Sequence, residues 1–248
     1  MIIDCISDLH GHYPKLEGGD LLIVAGDLTA RGTYKEYLEF FKWLQSQQYR
    51  KKVFIYGNHD NLAVSQFDWG DLETDYLCDS GIEFEYLEDD PIEISAATID
   101  VIIRTKKKFK IYGSPWIKSF PGMNATCKAF TLDTEEELAK RWALIPNDTE
   151  ILITHSPPYG MLDRVEDYAS GEIRYVGSKS LSDKLMELKK LKLHVFGHVH
   201  EGYGECYQGY LGKTWDDPNP KPIGHLSINA SHVNEHYRPV NKPVRIEL

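Results

Sequence analysis

Five short apolar runs constrain this chain most, because each ends in a turn built from Gly, Asp, Asn or His. Met1–Ile6 leads into Ser7-Asp8-Leu9-His10-Gly11, Leu21–Ala25 into Gly26-Asp27, and Val53–Tyr56 into Gly57-Asn58-His59-Asp60. Ile151–Thr154 leads into His155-Ser156-Pro157-Pro158, and Leu193–Phe196 into Gly197-His198-Val199-His200. Short β-branched and apolar runs bounded by turn residues read as buried strands. Amphipathic stretches lie between them. Thr33 to Gln47 carries Leu38, Phe41 and Leu44 on one helical face and opens with a Thr33/Glu36 capping box. Thr134 with Glu137 repeats that signal before Leu138, Trp142 and Ile145, and Ser180 to Leu191 places Leu181, Leu185 and Leu188 in register. Strands alternating with helices imply βαβ units.

Two stretches break the alternation. Ile92–Ile94, Thr98–Ile103 and Lys110–Tyr112 read as strands with no helix between them, and Leu226–Ile228 and Val244–Leu248 as further strands near the end. All five look like antiparallel additions to a sheet. Gly202 to Gly224, rich in Gly, Pro and Asp, reads as a long loop. A length of 248 residues suits one large layered domain, and no linker divides residues 1–248. Hydrophobic residues at 42% and charged residues at 27% describe a folded chain, not a disordered one. A net charge of −10 argues against a stable complex with duplex nucleic acid. The longest clean apolar run, Leu21–Ala25, is too short to span a membrane, and nothing at the start reads as a secretion signal. Cys5, Cys78, Cys127 and Cys206 lie far apart, which suggests reduced thiols and a cytoplasmic protein.

The five turns carry Asp8, His10, Asp27, Asn58, His59, His155, His198 and His200. Ligands of open α/β sheets bind beyond the carboxyl ends of the strands. If the strands are neighbours, two carboxylates, an amide oxygen and several imidazoles gather at one edge. Such a mixed N/O set suits borderline divalent metals, and there are too many ligands for one ion. Glycines 11, 26, 57 and 197 fit close turns where a side chain would crowd the site.

The ordered blocks Asp8-Leu9-His10, Gly26-Asp27, Gly57-Asn58-His59-Asp60, Thr154-His155 and Gly197-His198-Val199-His200 resemble the calcineurin-like metallophosphoesterase superfamily. The resemblance implies an α/β (α+β) fold, a four-layer αββα sandwich of two mixed β-sheets flanked by helices. It also implies two divalent metal ions, manganese first, with iron, zinc, nickel or magnesium as alternatives. Asp8, His10 and His200 would hold the first ion and Asn58, His155 and His198 the second, with Asp27 bridging them. His59 would face the substrate phosphate, oriented by Asp60, and Asn58 would also touch the substrate. A hydroxide bridging the metals would attack phosphorus. Protein Ser/Thr phosphatases of the superfamily place a phosphate-binding arginine four residues after the bridging Asp. Arg31 stands there, either as a substrate contact or as an exposed residue at the entry to the first helix.

The departures narrow the likeness. Purple acid phosphatases carry a tyrosine where Ala30 stands, and the Ser/Thr phosphatases carry GNHE where this chain has Asp60. Ile111-Tyr112-Gly113-Ser114-Pro115-Trp116, Thr154-His155-Ser156-Pro157-Pro158 with Leu162-Asp163, His200-Glu201-Gly202-Tyr203-Gly204 and Ile228-Asn229-Ala230-Ser231 are similar to strings of the metallophosphoesterase-domain-containing group known for fetal-brain expression. Some animal members replace the first His of GHxH with glycine. His198 is present here, so a fully occupied, more active site is expected. That group implies a phosphodiesterase of small phosphodiesters, nucleoside 2′,3′-cyclic phosphates and aryl esters included. The alternatives are a phosphomonoesterase acting on a protein or a nucleotide, and a non-catalytic metal-bound scaffold. The oligomeric state is left open.

Other polar residues read more plainly. Asp4 lies inside a strand and reads as structural. His12 reads as solvated, Lys106-Lys107-Lys108 as a hairpin tip, and Trp116 as core or rim packing. Tyr203, Tyr207 and Tyr210 either pack a loop or border the cleft. His194, His225, His232 and His236 carry no catalytic expectation.

Overall fold

A computed structural model of the chain describes residues 1–64, 84–86, 99–102, 108–120, 123–124, 126–166, 170–211 and 221–248. The first sheet contains β1 (Ile2–Ile6), β2 (Gly19–Ala25), β3 (Tyr49–Ile55), β4 (Phe84–Tyr86) and β15 (Val244–Glu247), in the order β15-β1-β2-β3-β4. Only β15 runs antiparallel to its neighbour. The second sheet contains β5 (Ile99–Ile102), β6 (Lys108–Ser114), β9 (Ile151–Thr154), β12 (Leu193–Phe196), β13 (Gly204–Leu211) and β14 (Lys221–Asn229). Its order is β13-β14-β12-β9-β6-β5, parallel except at the two outer pairs. Two small ribbons, β7 (Ile117–Lys118) with β8 (Thr131–Leu132) and β10 (Arg164–Glu166) with β11 (Ile173–Tyr175), lie outside the main sheets.

Strands buried on both faces explain the unbroken apolar runs. Leu21, Ile23 and Ala25 of β2 face the second sheet, in one core with Ile3, Val53, Ile111, Ile153 and Val195. Leu22 and Val24 face the other way, toward Tyr37, Phe40, Phe41 and Leu44 of α1 (Tyr34–Ser46). Leu152 and Tyr112 meet Leu138 and Trp142 of α2 (Glu135–Trp142) and Leu181 and Leu185 of α3 (Lys179–Glu187). These are the four layers expected: helix, sheet, sheet, helices. The helices begin where the capping signals placed them. Thr33 and Thr134 each accept from the backbone N–H three residues on, and Glu36 and Glu137 return the bond.

The loop expected over residues 202–224 is corrected. Gly204–Leu211 and Lys221–Asn229 pair as antiparallel strands with a register shift between Tyr207 and Gly209. The expectation of antiparallel additions also needs correcting at two places. β6 pairs parallel with β9, and β14 pairs parallel with β12 on its inner side. The strand expected at 92–94 and the tip at 106–107 lie outside the described residues. Asp4 is structural: it binds Arg245 through Nε and Nη2, each at 2.8 Å, and accepts from the Tyr49 hydroxyl. This ties β15 and β3 to β1.

Two buried histidines lie on the outer face of the second sheet. His194 Nε2 is 2.8 Å from the Thr154 hydroxyl, while His194 Nδ1 and His225 Nε2 have no partner among the described residues. Burial lowers both rings below the ordinary histidine value, His225 to about 4. The unfolded chain therefore takes up protons near pH ~6.5 that the folded chain refuses. This part of the stability is complete above pH ~6.5 and is lost as pH falls toward about 4. His225→Phe should remove about 1–2 kcal/mol of the loss between roughly pH 7 and pH 5. Urea midpoints of metal-free protein test this, and a midpoint change equal at both pH values would contradict it.

Candidate metal centre

The parallel strands aim the predicted turns at one edge. The two sheets join there: Ser7 N–H donates to Ala230 O at 2.8 Å, and His232 N–H donates to Ser7 O at 2.8 Å. Asp8, His10, Asp27 and His198 all adopt left-handed backbone conformations, with φ of 51°, 43°, 51° and 68°. For non-glycine residues each such conformation costs roughly 1–3 kcal/mol and persists only when the surroundings force it. Asp8 is held by Ser231 Oγ–H (2.7 Å) and by His198 N–H, 3.1 Å from each carboxylate oxygen. Asp27 accepts from His59 N–H at 2.9 Å.

All seven expected ligands converge. Asp8 Oδ1 lies 3.3 Å from His200 Nε2 and 3.9 Å from His10 Nε2. Asp27 Oδ2 lies 3.7 Å from His10 Nε2 and 3.3 Å from His155 Nε2. Asn58 Oδ1 lies 3.2 Å from His155 Nε2 and 3.0 Å from His198 Nδ1. Three overlapping groups have ligand atoms mutually within 4.8 Å: Asp8, His10 and His200; His10, Asp27 and His59; Asp8, Asp27 and His155.

The donor chemistry fits divalent cations. Two imidazole nitrogens, His10 Nε2 and His200 Nε2, face each other at 3.3 Å. His155 Nδ1 donates to Ala25 O (2.9 Å) and His200 Nδ1 to Asn234 O (3.1 Å), so Nε2 of each ring turns its lone pair inward. In the metal-free electrostatics protons stand in for cations. Burial opposes a charge on His155, but the Asp27 carboxylate overrides it and lifts the ring to about 9. On His200 burial is likewise outweighed, by the bond to Asp8. Burial dominates at His10 and His198 and lowers each to about 3. Burial also works to raise Asp8 and Asp27, yet the surrounding imidazoles hold both carboxyls below the usual range.

His59 sits at the rim, half-buried, its Nδ1 2.9 Å from Ala30 O and 3.5 Å from Cys127 Sγ. Asp60 does not orient that ring, and this corrects the expected role. Its carboxylate is fully buried and accepts from Gly57 N–H, Leu28 N–H, Thr29 N–H and Thr29 Oγ–H at 2.8–3.1 Å. Burial, then the charge of Asp27, pushes its carboxyl up to about 7. Asp60 is a brace between the turns after β2 and β3. Arg31 is exposed but lines the same cavity as His59 and Asn58.

The glycine expectation holds at three of four positions. A Cβ on Gly26, Gly57 or Gly197 would sit closer than 3.0 Å to His155, Asp27 or Asp8 respectively. Gly11 faces open space and is needed only for its φ of 82°. His12 is exposed, Trp116 packs on Phe130 under Arg141, and the Tyr203 hydroxyl donates to Lys242 O. The side chains of Tyr207 and Tyr210 lie outside the described residues. Ser231, Asn234, Tyr237, Phe120 and Cys127 were missed by sequence reasoning. The string ending at Ser231 held one usable signal.

This edge of two parallel-stranded sheets, crowded with carboxylates and imidazoles, belongs to a known class. The chain matches the calcineurin-like phosphoesterase family over residues 1–202 and is a member of it, a hydrolase acting on phosphoric ester bonds. It is 33% identical over 98% of its length to human metallophosphoesterase domain-containing protein 1, covering 70% of that protein, and the mouse protein of that name gives the same values. A UPF0046 protein of Caenorhabditis elegans is 31% identical over 98% of this chain and 59% of its own. The donor set is typical of binuclear metallophosphoesterases.

Gly57→Ala tests how tightly the centre is packed. The added methyl meets Asp27 and His155 together. The variant should fold yet bind manganese at least tenfold more weakly by calorimetric titration. An unchanged affinity would contradict the packing described.

Proposed function

We propose that this chain is a phosphodiesterase of small diesters, nucleoside 2′,3′-cyclic phosphates and aryl diesters among them. One observation carries the reading. A cavity of about 670 Å³ opens beside the metal centre, lined by Asn58, His59, Arg31, Phe120, Met123 and Tyr237, among others. That volume suits a ligand of nucleotide size rather than a polymer groove. Arg31 is the one cationic side chain among its described lining residues. A diester carries a single negative charge, whereas a monoester carries up to two. The mostly apolar wall suits the second ester group that only a diester has.

Asp8, His10 and His200 would hold one divalent ion, Asn58, His155 and His198 the other, with Asp27 between them. Bound metal ions neutralise phosphate charge and make water a nucleophile near neutral pH. Water adds to phosphorus, the P–O bond to the leaving group breaks, and an alcohol and a phosphomonoester result. His59 Nδ1 donates to Ala30 O. Its ring lines the cavity, where it would steady charge on the phosphate or serve the leaving oxygen. Asn58 is fixed by the bond from its Nδ2 to Cys127 O at 3.2 Å.

His59→Gln in the manganese-loaded protein should keep its metal content and lose about 10²–10⁴ in kcat on bis(p-nitrophenyl) phosphate. Unchanged turnover would contradict the role of His59. A wild-type preference for p-nitrophenyl phosphate would replace the diester reading with a monoesterase. No turnover on either ester would favour a metal-bound scaffold.

A further inference from the structure

Tyr237 is out of place by ordinary backbone rules. It is not a glycine, yet its φ is 57°. The residue is 49% exposed, although its ring lies over the candidate metal centre. The centroids of His10, His200 and His59 are 4.9, 5.2 and 5.9 Å away, the first two edge-on. The segment holding it is braced throughout. Asn234 Oδ1 accepts from the N–H groups of His236 and Arg238, and Tyr237 N–H donates to Asn234 O. That same carbonyl fixes the tautomer of His200. At the far end Asn241 Nδ2 donates to Ser231 O, next to the Ser231 hydroxyl that holds Asp8. A strained, half-exposed tyrosine on a strap tied to two expected metal ligands marks a functional position.

The Tyr237 hydroxyl makes no hydrogen bond among the described residues, and the free face of the ring turns into the cavity that His59 and Arg31 share. Phe120 lines the same cavity, its ring 6.2 Å from that of His198. The cavity therefore has one aromatic side chain beside the expected ligands of each metal ion.

We propose that Tyr237 is a specificity-determining residue whose ring packs against the ester group that stays on phosphorus after cleavage. This rests on the phosphodiesterase reading above. Aromatic rings packed edge-on or offset discriminate a flat group from a small alkyl one by about three- to tenfold. The left-handed backbone holds the ring at that wall.

The test compares bis(p-nitrophenyl) phosphate with methyl p-nitrophenyl phosphate. They share a leaving group and differ only in the retained ester. Manganese-loaded wild type should prefer the bis-aryl ester in kcat/KM. Tyr237→Gly, which relieves the backbone strain, should reduce that preference three- to tenfold, chiefly through KM. Its metal content should match wild type and its Tm should be equal or higher. Tyr237→Phe, which keeps the ring, should keep the wild-type ratio. An unchanged ratio in Tyr237→Gly, or loss of ratio in Tyr237→Phe to the same extent, would overturn the inference. So would loss of metal from Tyr237→Gly, since the residue would then serve the centre and not the substrate. If wild type cleaves p-nitrophenyl phosphate but neither diester, the phosphodiesterase reading itself falls and takes this inference with it.

Discussion

The Asp27 carboxylate is the contact on which this edge of the molecule depends. It lies 3.7 Å from His10 after β1, accepts the His59 backbone N–H after β3, and sits 3.3 Å from His155 after β9. Three chain segments from two sheets therefore meet on one buried anion. A buried carboxylate is costly unless it is matched by positive charge and hydrogen-bond donors. The imidazoles supply part of that match, and a pair of cations would complete it. The left-handed backbones of Asp8, His10, Asp27 and His198 follow from the same need. A strand that simply continued would carry Asp8 and His10 along one face of its sheet. The turn after each strand bends them toward a common centre instead.

Much of this was legible in the sequence, for physical reasons. Strands buried on both faces are written as unbroken apolar runs, and helix starts are written as capping boxes at Thr33 and Thr134. The expected ligands lie directly after strands, so the turns that the structure brings together could be read from the strand pattern. The hairpin of β13 and β14 was hidden because its composition imitates a loop. Gly204 and Gly209 lie in an edge strand, Gly209 at a register shift, and Pro222 pairs with Tyr210 beyond the reach of β12. Proline is tolerated there because no inner strand asks for its N–H. Asp60 was misread because neighbours in a motif need not touch. Its carboxylate turns away from His59 to satisfy the backbone of an adjoining turn. Tyr237 could not be foreseen, since a left-handed turn normally announces itself with glycine or asparagine.

The expected metal ligands and the cavity wall come from different parts of the chain. The expected ligands follow the ends of central strands, which sheet packing holds in place. The cavity wall comes from the connections: Arg31 before α1, Phe120 and Cys127 after β7, and Tyr237 between β14 and β15. A family that shares its metal centre can therefore vary its substrates by changing these segments alone.

The central claim is that residues from position 8 to position 200 grip two cations around one carboxylate. Anomalous diffraction from crystals soaked in manganese tests it most directly. Two separate peaks should appear, one on each side of Asp27, the first among Asp8, His10 and His200 and the second among Asn58, His155 and His198. A single peak, or manganese bound away from Asp27, would contradict it.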